Sequence, residues 1–473
     1  MIRFFNTYIP IRTFALGVSE ACLIVLSFVV AAVFRLGTND ASVTLQYEHG
    51  FLKIIVLAAA FIICMHYFDL YDSYVLSNRR EVLTRLFQAL GAVCILLACI
   101  YYFYPPLELG RGIVLIGLPI VLVLLALWRG VFAAFNRGSR FAERTLIFGD
   151  ENVATRLLSE VRARPELGLN VVGRISVSGN RSYELSCDSD SPSPRWAGPT
   201  INEGELTAAV REQRIRRIVV ALEDRRGRLP VELLLLMKSR GVLVEDGIEL
   251  YEKITGKIPV ESLRLGTLLF SSGFHLSRFV VFYKRAISVA ISAIGLTLTL
   301  PLLPFIALAV KLSSRGPILY HQKRVGRNDV TYYCHKFRTM RADAEADSGP
   351  AWATDDDPRI TAVGRFLRKT RLDEIPQLWN VLRGEMSLVG PRPERPEFIE
   401  TLKQEIPYYN LRHTVRPGIT GWAQIRYKYG SSVEDAREKL RYDLYYIKHL
   451  SFGLDAWILF DTIKIILLGR GAR

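Results

Sequence analysis

Long apolar runs dominate the first 135 residues of the chain. Four of them, at about 14–34, 51–68, 86–104 and 112–135, each approach the ~20 residues that an α-helix needs to cross a bilayer core. Four such runs in so short a stretch are not typical of the buried core helices of a soluble protein. The pattern therefore predicts a four-helix transmembrane domain over residues 1–140.

Positive charge near the ends of these runs predicts their orientation. Arg3 and Arg12 precede the first run, and further arginines lie between the second and third runs and after the fourth. Cytoplasmic loops carry an excess of Lys and Arg. We therefore expect the N-terminus and everything after the fourth helix to be cytoplasmic. The first run is too long for the core of a cleavable signal peptide.

Strand-like and helix-like segments alternate between residues 141 and 270. We expect strands at 144–148, 170–177, 215–222 and 241–245, with helical segments up to 164 and at 230–239. This alternation predicts a parallel, doubly wound sheet, and hence a Rossmann-like α/β middle domain. The stretch 178–200 is rich in Ser, Pro, Asp and Gly, which predicts a surface loop.

The turn after the first of these strands argues against a dinucleotide site. It has the sequence GDENVA from Gly149, without the glycines of G-x-G-x-x-G that let the backbone approach a pyrophosphate. A membrane-anchored, NAD-dependent enzyme would need that motif and a Tyr-x-x-x-Lys pair. Tyr251 and Lys253 have the wrong spacing. A structural or regulatory role is therefore favoured for this domain, and a non-catalytic membrane scaffold is a further hypothesis for the chain.

A fifth apolar run, from Ala286 to Val310, differs from the first four. Basic residues flank it on both sides, and Pro301 and Pro304 interrupt it. Proline inside a helix removes a hydrogen bond and forces a kink. We therefore predict a re-entrant helix over about 284–311, broken at Pro301, which returns to the cytoplasmic face. The alternative is a fifth crossing with a proline kink, which would place the rest of the chain outside the cytoplasm.

Charge and composition narrow the partners of this mixed chain. Its 473 residues carry a net charge of +15, and the mean hydropathy is +0.19. A basic balance suits nucleic acid, anionic lipid or a phosphorylated substrate. The apolar runs favour lipid and phosphate, and no nucleic-acid-binding motif is present. The six cysteines lack metal-ligand spacing and are interpreted as reduced thiols.

Candidate chemistry concentrates in the stretch RKTRLDEIPQLWNVLRGEMSLVGPRPE, from Arg368 to Glu394. Asp373 and Glu374 come just before Pro376, a residue favoured in the first turn of a helix. In an arbitrary protein such a pair usually caps the helix. Here many cations accompany it, which favours phosphoryl chemistry, because an anionic nucleophile needs charge neutralisation to attack a phosphate diester. The available cations are Lys336, Arg338, Arg368, Arg371, Arg392 and Arg416.

The segments KFRTM (336–340), LDEIPQLWNVLRGEMSLVGPRPE (372–394) and RPGITGWAQ (416–424) resemble those of the bacterial sugar transferases. These are monotopic phosphoglycosyl transferases that start the assembly of exopolysaccharides and related glycans. The resemblance covers roughly 280–473, and its ordered motifs are specific. It implies a mainly α-helical catalytic domain over 271–473, here joined to four transmembrane helices as in the long members of the family.

The resemblance also implies roles for individual residues. Asp373 matches the nucleophile that attacks a UDP-sugar, releases UMP and holds the phospho-sugar until undecaprenyl phosphate accepts it. Glu374 matches the glutamate that binds Mg²⁺, and Pro301 the helix-breaking proline. Lys336, Arg368, Arg392 and Arg416 fall on the family's basic positions and would hold phosphates or nucleotide, and Arg338 is a further candidate for substrate binding. The enzyme would be a multi-pass protein of the bacterial inner membrane with a cytoplasmic catalytic domain, and a homodimer is left open.

Two segments near the C-terminus are candidates for the membrane surface. The stretch 452–468 has the pattern of an amphipathic helix, and Tyr442–His449 is aromatic and basic. The alternative for both is packing against the catalytic core. One departure from the family is Arg324-Val325-Gly326, where relatives often have Arg-Pro-Gly, and another is Leu300 in place of serine before the helix-breaking proline.

Overall fold

The apolar runs of the N-terminal region form helices in the structure, which is a computed structural model of the chain. It describes all residues except 5, 73–74, 77, 138–141, 150, 179–181, 188–202, 223–228, 264–272, 275–276, 345–356, 428–429, 431 and 470–473. Two short strands, β1 (Ile2–Phe4) and β2 (Thr7–Ile9), come first. The helices that follow are α1 (Ile11–Leu36), α2 (Thr38–Gln46), α3 (Gly50–Tyr67), α4 (Arg79–Phe103) and α5 (Arg111–Arg137).

Helices α1, α3, α4 and α5 have the length and apolar composition to span a membrane, which confirms the four predicted helices. Helix α2 was not predicted. Its nine residues are mostly polar, and only Ala41 and Leu45 are buried, so the apolar pattern that reveals the other helices is absent. The shared core of these helices includes Phe28, Leu57 and Phe61.

An ion pair is buried among these helices. Glu20 of α1 and Arg129 of α5 are 0% and 4% exposed, and Arg129 Nε lies 2.6 Å from Glu20 Oε1. Tyr71 donates its hydroxyl proton to Glu20 Oε2 at 2.8 Å, and Arg129 also donates to the carbonyl of Leu70 at 2.8 Å. A charge buried inside a membrane protein is costly without a partner. The ion pair between Glu20 and Arg129 therefore favours the packing of α1 against α5, which are far apart in the sequence.

We expect Arg129→Leu to destabilise the protein by about 3–5 kcal/mol, because it leaves the Glu20 carboxylate buried without its counter-ion. The measurement is the thermal unfolding temperature of the full chain in mild detergent. The double variant Glu20→Leu/Arg129→Leu should recover most of the loss. Arg111→Leu is the control, since this arginine of the same helix has a side chain that is 95% exposed. An equal loss in the double variant would contradict the role of the pair.

The middle segment forms a five-stranded sheet with helices between the strands. The strands are β3 (Glu143–Gly149), β4 (Leu169–Ser178), β5 (Ser182–Cys187), β6 (Arg217–Ala221) and β7 (Leu243–Asp246). Their order in the sheet is β5-β4-β3-β6-β7, with β3, β4, β6 and β7 parallel and β5 antiparallel to β4. The helices are α6 (Glu151–Arg162), α7 (Glu203–Glu212), α8 (Val231–Ser239) and α9 (Gly247–Thr255).

The four predicted strands are confirmed within a few residues, whereas the loop predicted at 178–200 is wrong in part. Residues 182–187 form β5, an antiparallel edge strand that pairs with β4 from Gly173 to Ser178. The short run SYELSC alternates polar and apolar residues, but the Ser, Pro, Asp and Gly residues that follow it favoured a loop over the whole stretch. The remaining part of the predicted loop, 188–200, lies outside the described residues.

By internal contacts the chain divides into two compact units, of which the second holds Tyr251–Arg473 and Phe4–Thr7. Its first residues already pack against the C-terminal region: Trp422 donates its indole N–H to the carbonyl of Gly256, and Lys448 pairs with Glu252. The elements of this unit are α10 (Arg278–Thr299), α11 (Leu303–Ser313), β8 (Leu319–Val325), β9 (Thr331–Phe337), α12 (Ala362–Thr370), α13 (Gln377–Arg383), β10 (Ser387–Val389), α14 (Pro396–Glu405), β11 (Gly418–Thr420), α15 (Trp422–Arg426), α16 (Val433–Lys448) and α17 (Phe452–Leu467).

The fifth apolar run is interrupted where the prolines predict. Helices α10 and α11 are separated by a 3-10 turn over Leu300–Leu302, which contains Pro301. Both helices pack on the same part of the unit. Arg285 of α10 donates to the carbonyls of Val381 and Leu382, and Ile306 and Val310 of α11 share a core with Leu367 and Ile375. The two ends of this run therefore contact neighbouring parts of one unit.

The C-terminal helices differ in how they are buried. Tyr442, Tyr445 and Tyr446 of α16 are buried in the core of the unit. This confirms the alternative prediction for this segment, packing against the core, and not the prediction of a position on the membrane surface. Helix α17 confirms the helix predicted over 452–468. It buries Leu454 and Ile458 but exposes Phe452 and Ile463 among other apolar side chains.

Candidate active site

Asp373 and Glu374 lie in a 3-10 turn between two short helices. Helix α12 ends where Arg371 adopts a left-handed backbone with φ 58°, which is unusual for a residue other than glycine. The turn Leu372–Glu374 follows, and α13 begins after Pro376. No side-chain hydrogen bond caps either the turn or α13, so Asp373 does not act as a helix cap. Asp373 and Glu374 are 7% and 8% exposed.

Three cations hold the carboxylate of Glu374. Lys336 of β9 donates to Oε1 at 2.9 Å, and Arg392 donates to the same oxygen at 3.3 Å. Arg371 Nη1 lies 3.8 Å from Oε2. Burial acts to raise the pKa of Glu374, but Lys336, Arg392 and Arg371 outweigh it, and the pKa lies well below its ordinary range. The three cations therefore favour the ionised form of Glu374.

Asp373 has a different environment. Its Oδ1 is buried and finds no hydrogen-bond partner among the described residues. Burial, followed by the charge of Glu374, raises the pKa of Asp373, and Lys336, Arg368 and Arg371 partly offset this rise. A carboxylate oxygen without a partner is costly unless a ligand or ion completes its shell. The pair thus combines one carboxylate fixed by cations with one that has an oxygen available.

The predicted cations take different positions. Lys336 and Arg392 contact Glu374 directly. Arg368 donates Nε to Thr339 Oγ1 at 2.9 Å, from a helix that approaches so closely that a Cβ on Gly364 would lie 2.0 Å from the Thr339 carbonyl oxygen. The structure thus brings Lys336, Arg368 and Arg392 around the carboxylate pair.

Arg338 and Arg416 lie elsewhere. Arg338 is buried and donates to the backbone carbonyls of Ser314, at 2.6 Å, and Pro317, so it holds the segment that follows α11. Arg416 donates Nε to the carbonyl of Gly384, just past the far end of α13, at 2.9 Å. Burial, and then the charges of Arg285 and Arg327, lower the pKa of Arg416.

Two supporting residues were not singled out from the sequence. Asn380 is fully buried and accepts from the backbone N–H of His335, while its amide donates to the carbonyl of Tyr333 at 2.7 Å. This fixes α13 to β9 and so places Lys336 beside Glu374. Arg412 donates to the carbonyl of Arg392 at 2.9 Å and pairs with buried Asp443. The signal that the sequence offered for Asn380 is an asparagine within the largely apolar helix α13, where it lies on the buried face.

These observations define a membrane protein whose second unit carries a buried carboxylate pair surrounded by cations. Comparison with known proteins gives the family. Residues 279–469 match the model of the bacterial sugar transferase family, and residues 66–233 match that of a CoA-binding domain. A Klebsiella pneumoniae protein named UDP-glucose:undecaprenyl-phosphate glucose-1-phosphate transferase is 34% identical over 70% of this chain and 69% of its own length. The chain belongs to the bacterial sugar transferase family.

Two further relatives carry related names. An Aeromonas hydrophila UDP-N-acetylgalactosamine-undecaprenyl-phosphate N-acetylgalactosaminephosphotransferase is 42% identical over 48% of this chain and 52% of its own length. A Komagataeibacter xylinus undecaprenyl-phosphate glucose phosphotransferase is 35% identical over 70% of this chain and 60% of its own length. The chain thus spans between half and two thirds of the length of these two relatives.

Proposed function

We propose that the protein transfers a sugar-1-phosphate from a UDP-sugar to undecaprenyl phosphate and releases UMP. The observation that carries this proposal is the pairing of Asp373, which has an unpartnered buried oxygen, with Glu374, which three cations hold ionised. The names of the relatives support undecaprenyl phosphate as the acceptor and a UDP-hexose or UDP-N-acetylhexosamine as the donor.

The first step of the proposed mechanism uses Asp373 as the nucleophile. Its carboxylate oxygen attacks the phosphorus that bears the sugar, and the bond from that phosphorus to the bridging oxygen of UMP breaks. UMP leaves with the bond's electron pair, and the phospho-sugar remains on Asp373. Lys336, Arg368 and Arg392 stand where they would stabilise the negative charge on the transferring group, since cations fixed beforehand act most strongly in a site with little water.

The second step regenerates Asp373. A phosphate oxygen of undecaprenyl phosphate attacks the same phosphorus, and the bond to the aspartyl oxygen breaks. The products are undecaprenyl diphosphate-sugar and free carboxylate. No proton has to be removed from a phosphate dianion acceptor, so this mechanism needs no general base. That agrees with a site whose acidic groups, in the part described, are Asp373 and Glu374 surrounded by cations.

The carboxylate pair also suits Mg²⁺. This ion is commonly held by one or two carboxylates together with substrate phosphates, and Asp373 Oδ1 is an orphaned buried oxygen beside Glu374. Glu374 and Asp373 would hold the ion, which when bound would neutralise charge on the diphosphate of the donor. No cluster of three or more His, Cys, Asp or Glu with metal-binding geometry exists among the described residues, so the remaining ligands would come from substrate and water.

We further propose that α10 and α11 form a re-entrant element and that the second unit is cytoplasmic. Two contacts support this. Arg285, at the start of the run, donates to the carbonyl of Val381 in α13, and Val310, near its end, shares a core with Ile375, which lies just before α13. A straight helix from Arg285 to Val310 would be roughly 37 Å long at about 1.5 Å per residue, so the run has to bend to make both contacts. A return to the same face would keep the site accessible to soluble UDP-sugars of the cytoplasm.

The proposed function is tested by UMP release from a panel of UDP-sugars with the full chain in detergent or nanodiscs. We expect UDP-glucose or UDP-N-acetylgalactosamine to give sustained UMP release when undecaprenyl phosphate is present, and no more than one equivalent per enzyme without it. The lipid product should carry the sugar and two phosphates by mass. Release of UDP instead of UMP, with a single phosphate on the lipid, would contradict the proposal.

Metal removal gives a separate prediction. EDTA should abolish UMP release, and Mg²⁺ added in excess should restore it, because the donor diphosphate would otherwise face two carboxylates without sufficient neutralising charge. The matched control is the thermal unfolding temperature in EDTA without substrate, which we expect to be unchanged. UMP release at the full rate in EDTA would show that Lys336 and the arginines suffice.

A further inference from the structure

Three arginines line one small pocket beside the C-terminal end of α13. They are Arg285 of α10, Arg327 in the turn of the β8–β9 hairpin, and Arg416, which precedes β11. Lys284 also lines this pocket, but it is paired with Asp455 at 2.7 Å. No acidic side chain is among the residues that line the pocket in the described chain.

The three arginines are held in place by different contacts. Arg285 donates to the carbonyls of Val381 and Leu382, and Arg416 donates Nε to that of Gly384. Arg327 is exposed, and its side chain has no partner within the residues that the structure describes. Two guanidinium groups held by backbone carbonyls and one exposed one therefore lie near each other, with no acidic side chain among the residues that line the pocket in the described chain. Such a concentration of positive charge is the arrangement that binds a phosphate group.

An apolar groove begins where this pocket ends. Its cavity has a volume of about 380 Å³ and lies between α10 and α17, and Lys284 and Ser288 line both spaces. Its other walls include Ile287, Ile291, Leu459 and Ile463. A volume of this size falls within the range of small-ligand sites.

The surroundings of the groove are those of a membrane surface. Phe279 and Phe282 of α10 are 75% and 73% exposed, and Phe452 of α17 is 52% exposed. Helix α10 belongs to a run with the length and hydropathy of a membrane span. A basic pocket beside an apolar groove on such a surface has the two parts of an anionic lipid, a charged headgroup and a chain.

We propose that this pocket and groove bind an anionic phospholipid of the bilayer, with its phosphate against Arg327 and Arg416 and one acyl chain in the groove. The acceptor of the proposed reaction is a less suitable occupant. Its phosphate must reach Asp373, whereas the pocket lies beyond the opposite end of α13, whose seven residues alone extend roughly 10 Å. The site would anchor the second unit to lipid without taking part in the chemistry.

The test measures lipid binding rather than turnover, so its result is independent of the proposed function. The full chain in mild detergent is titrated with phosphatidylglycerol, phosphatidylcholine, undecaprenyl phosphate or inorganic phosphate. The readouts are the rise in Tm that binding to the folded state produces and the retained lipid in native mass spectrometry. We expect phosphatidylglycerol to raise the Tm of the protein at a lower concentration than phosphatidylcholine, undecaprenyl phosphate or inorganic phosphate does.

Four variants locate the effect. Arg327→Gln should weaken phosphatidylglycerol binding roughly tenfold, which corresponds to about 1.4 kcal/mol, because the amide cannot replace a charge-assisted hydrogen bond to the phosphate. Arg327→Lys should retain part of the affinity. Ala456→Trp, which fills the groove, should weaken binding of the lipid but not of inorganic phosphate. Arg315→Gln is the matched control, because this arginine is also exposed but follows α11 and does not line the pocket.

Several results would overturn the proposal. One is equal phosphatidylglycerol binding by Arg327→Gln and the wild type, and another is unchanged lipid binding in Ala456→Trp. Equal stabilisation by phosphatidylcholine would remove the role of the negative charge. A response to undecaprenyl phosphate or inorganic phosphate that exceeds the response to phosphatidylglycerol, and that Arg327→Gln abolishes, would assign the pocket to those ligands instead.

Discussion

Asp373→Asn should reduce UMP release by roughly a thousandfold or more, because loss of a nucleophile removes the entire covalent route. The amide is nearly isosteric with the carboxylate but cannot attack phosphorus. The decisive measurement is a single turnover without undecaprenyl phosphate. The wild type should release up to one equivalent of UMP and retain the sugar and phosphate on the protein, whereas the variant should do neither.

The control for this experiment is Asp343→Asn, which changes an exposed aspartate of the same unit. We expect it to behave as the wild type. The thermal unfolding temperature of Asp373→Asn should not fall, since the carboxylate makes no capping hydrogen bond and its Oδ1 has no partner in the described chain. Full single-turnover release by Asp373→Asn would exclude the aspartyl intermediate while leaving the overall transfer reaction open to another mechanism.

Lys336→Met should lower the rate of UMP release by about 10²–10³, the usual effect of removing one fixed electrostatic contact in an active site. The ammonium group contacts Glu374 at 2.9 Å and lowers the pKa of both carboxyl groups of the pair. Lys323→Met is the matched control, because this exposed lysine lies on the partner strand of the same hairpin. It should leave the rate unchanged.

The same variant makes a prediction about pH. Asp373 must be ionised to attack, so activity falls as the pH drops through the raised pKa of Asp373. Removal of the Lys336 charge raises the pKa of Asp373 further, since this nearby positive charge favours the ionised form of Asp373. The acid limb of the pH–rate profile should therefore move to higher pH in Lys336→Met and stay in place in Lys323→Met. A fall in rate with an unmoved acid limb would mean that Lys336 does not act on the nucleophile.

Much of the architecture follows from pattern alone. The four apolar helices and the parallel strands were predictable because each contains a run whose period or length is set by burial, as in Leu146–Phe148 of β3. The break at Pro301 was predictable because proline cannot continue the hydrogen-bond ladder. The edge strand Ser182–Cys187 was not predicted, because its short alternating pattern is followed directly by a Ser-, Pro-, Asp- and Gly-rich stretch that favours a loop.

The candidate site shows the same limit. The motif indicated the carboxylate pair and many cations, but not which cations stand beside it. Arg338 and Arg392 are similar in sequence terms, yet Arg338 is directed to the carbonyls of Ser314 and Pro317, and Arg392 to Glu374. Such choices depend on which backbone carbonyls remain unpaired after folding, and this is a property of tertiary structure.

The packing of α10 and α11 has a consequence for handling the protein. Ile306 and Val310 share a core with Phe337, Leu367 and Ile375, so the apolar run supplies interior side chains to the unit that carries Asp373. A fragment that starts at residue 251 would lack α1–α5 but would retain this run. We expect such a fragment to require detergent or lipid for purification. Excision of 278–313 to make it water-soluble would remove part of the core that packs against the turn carrying Asp373.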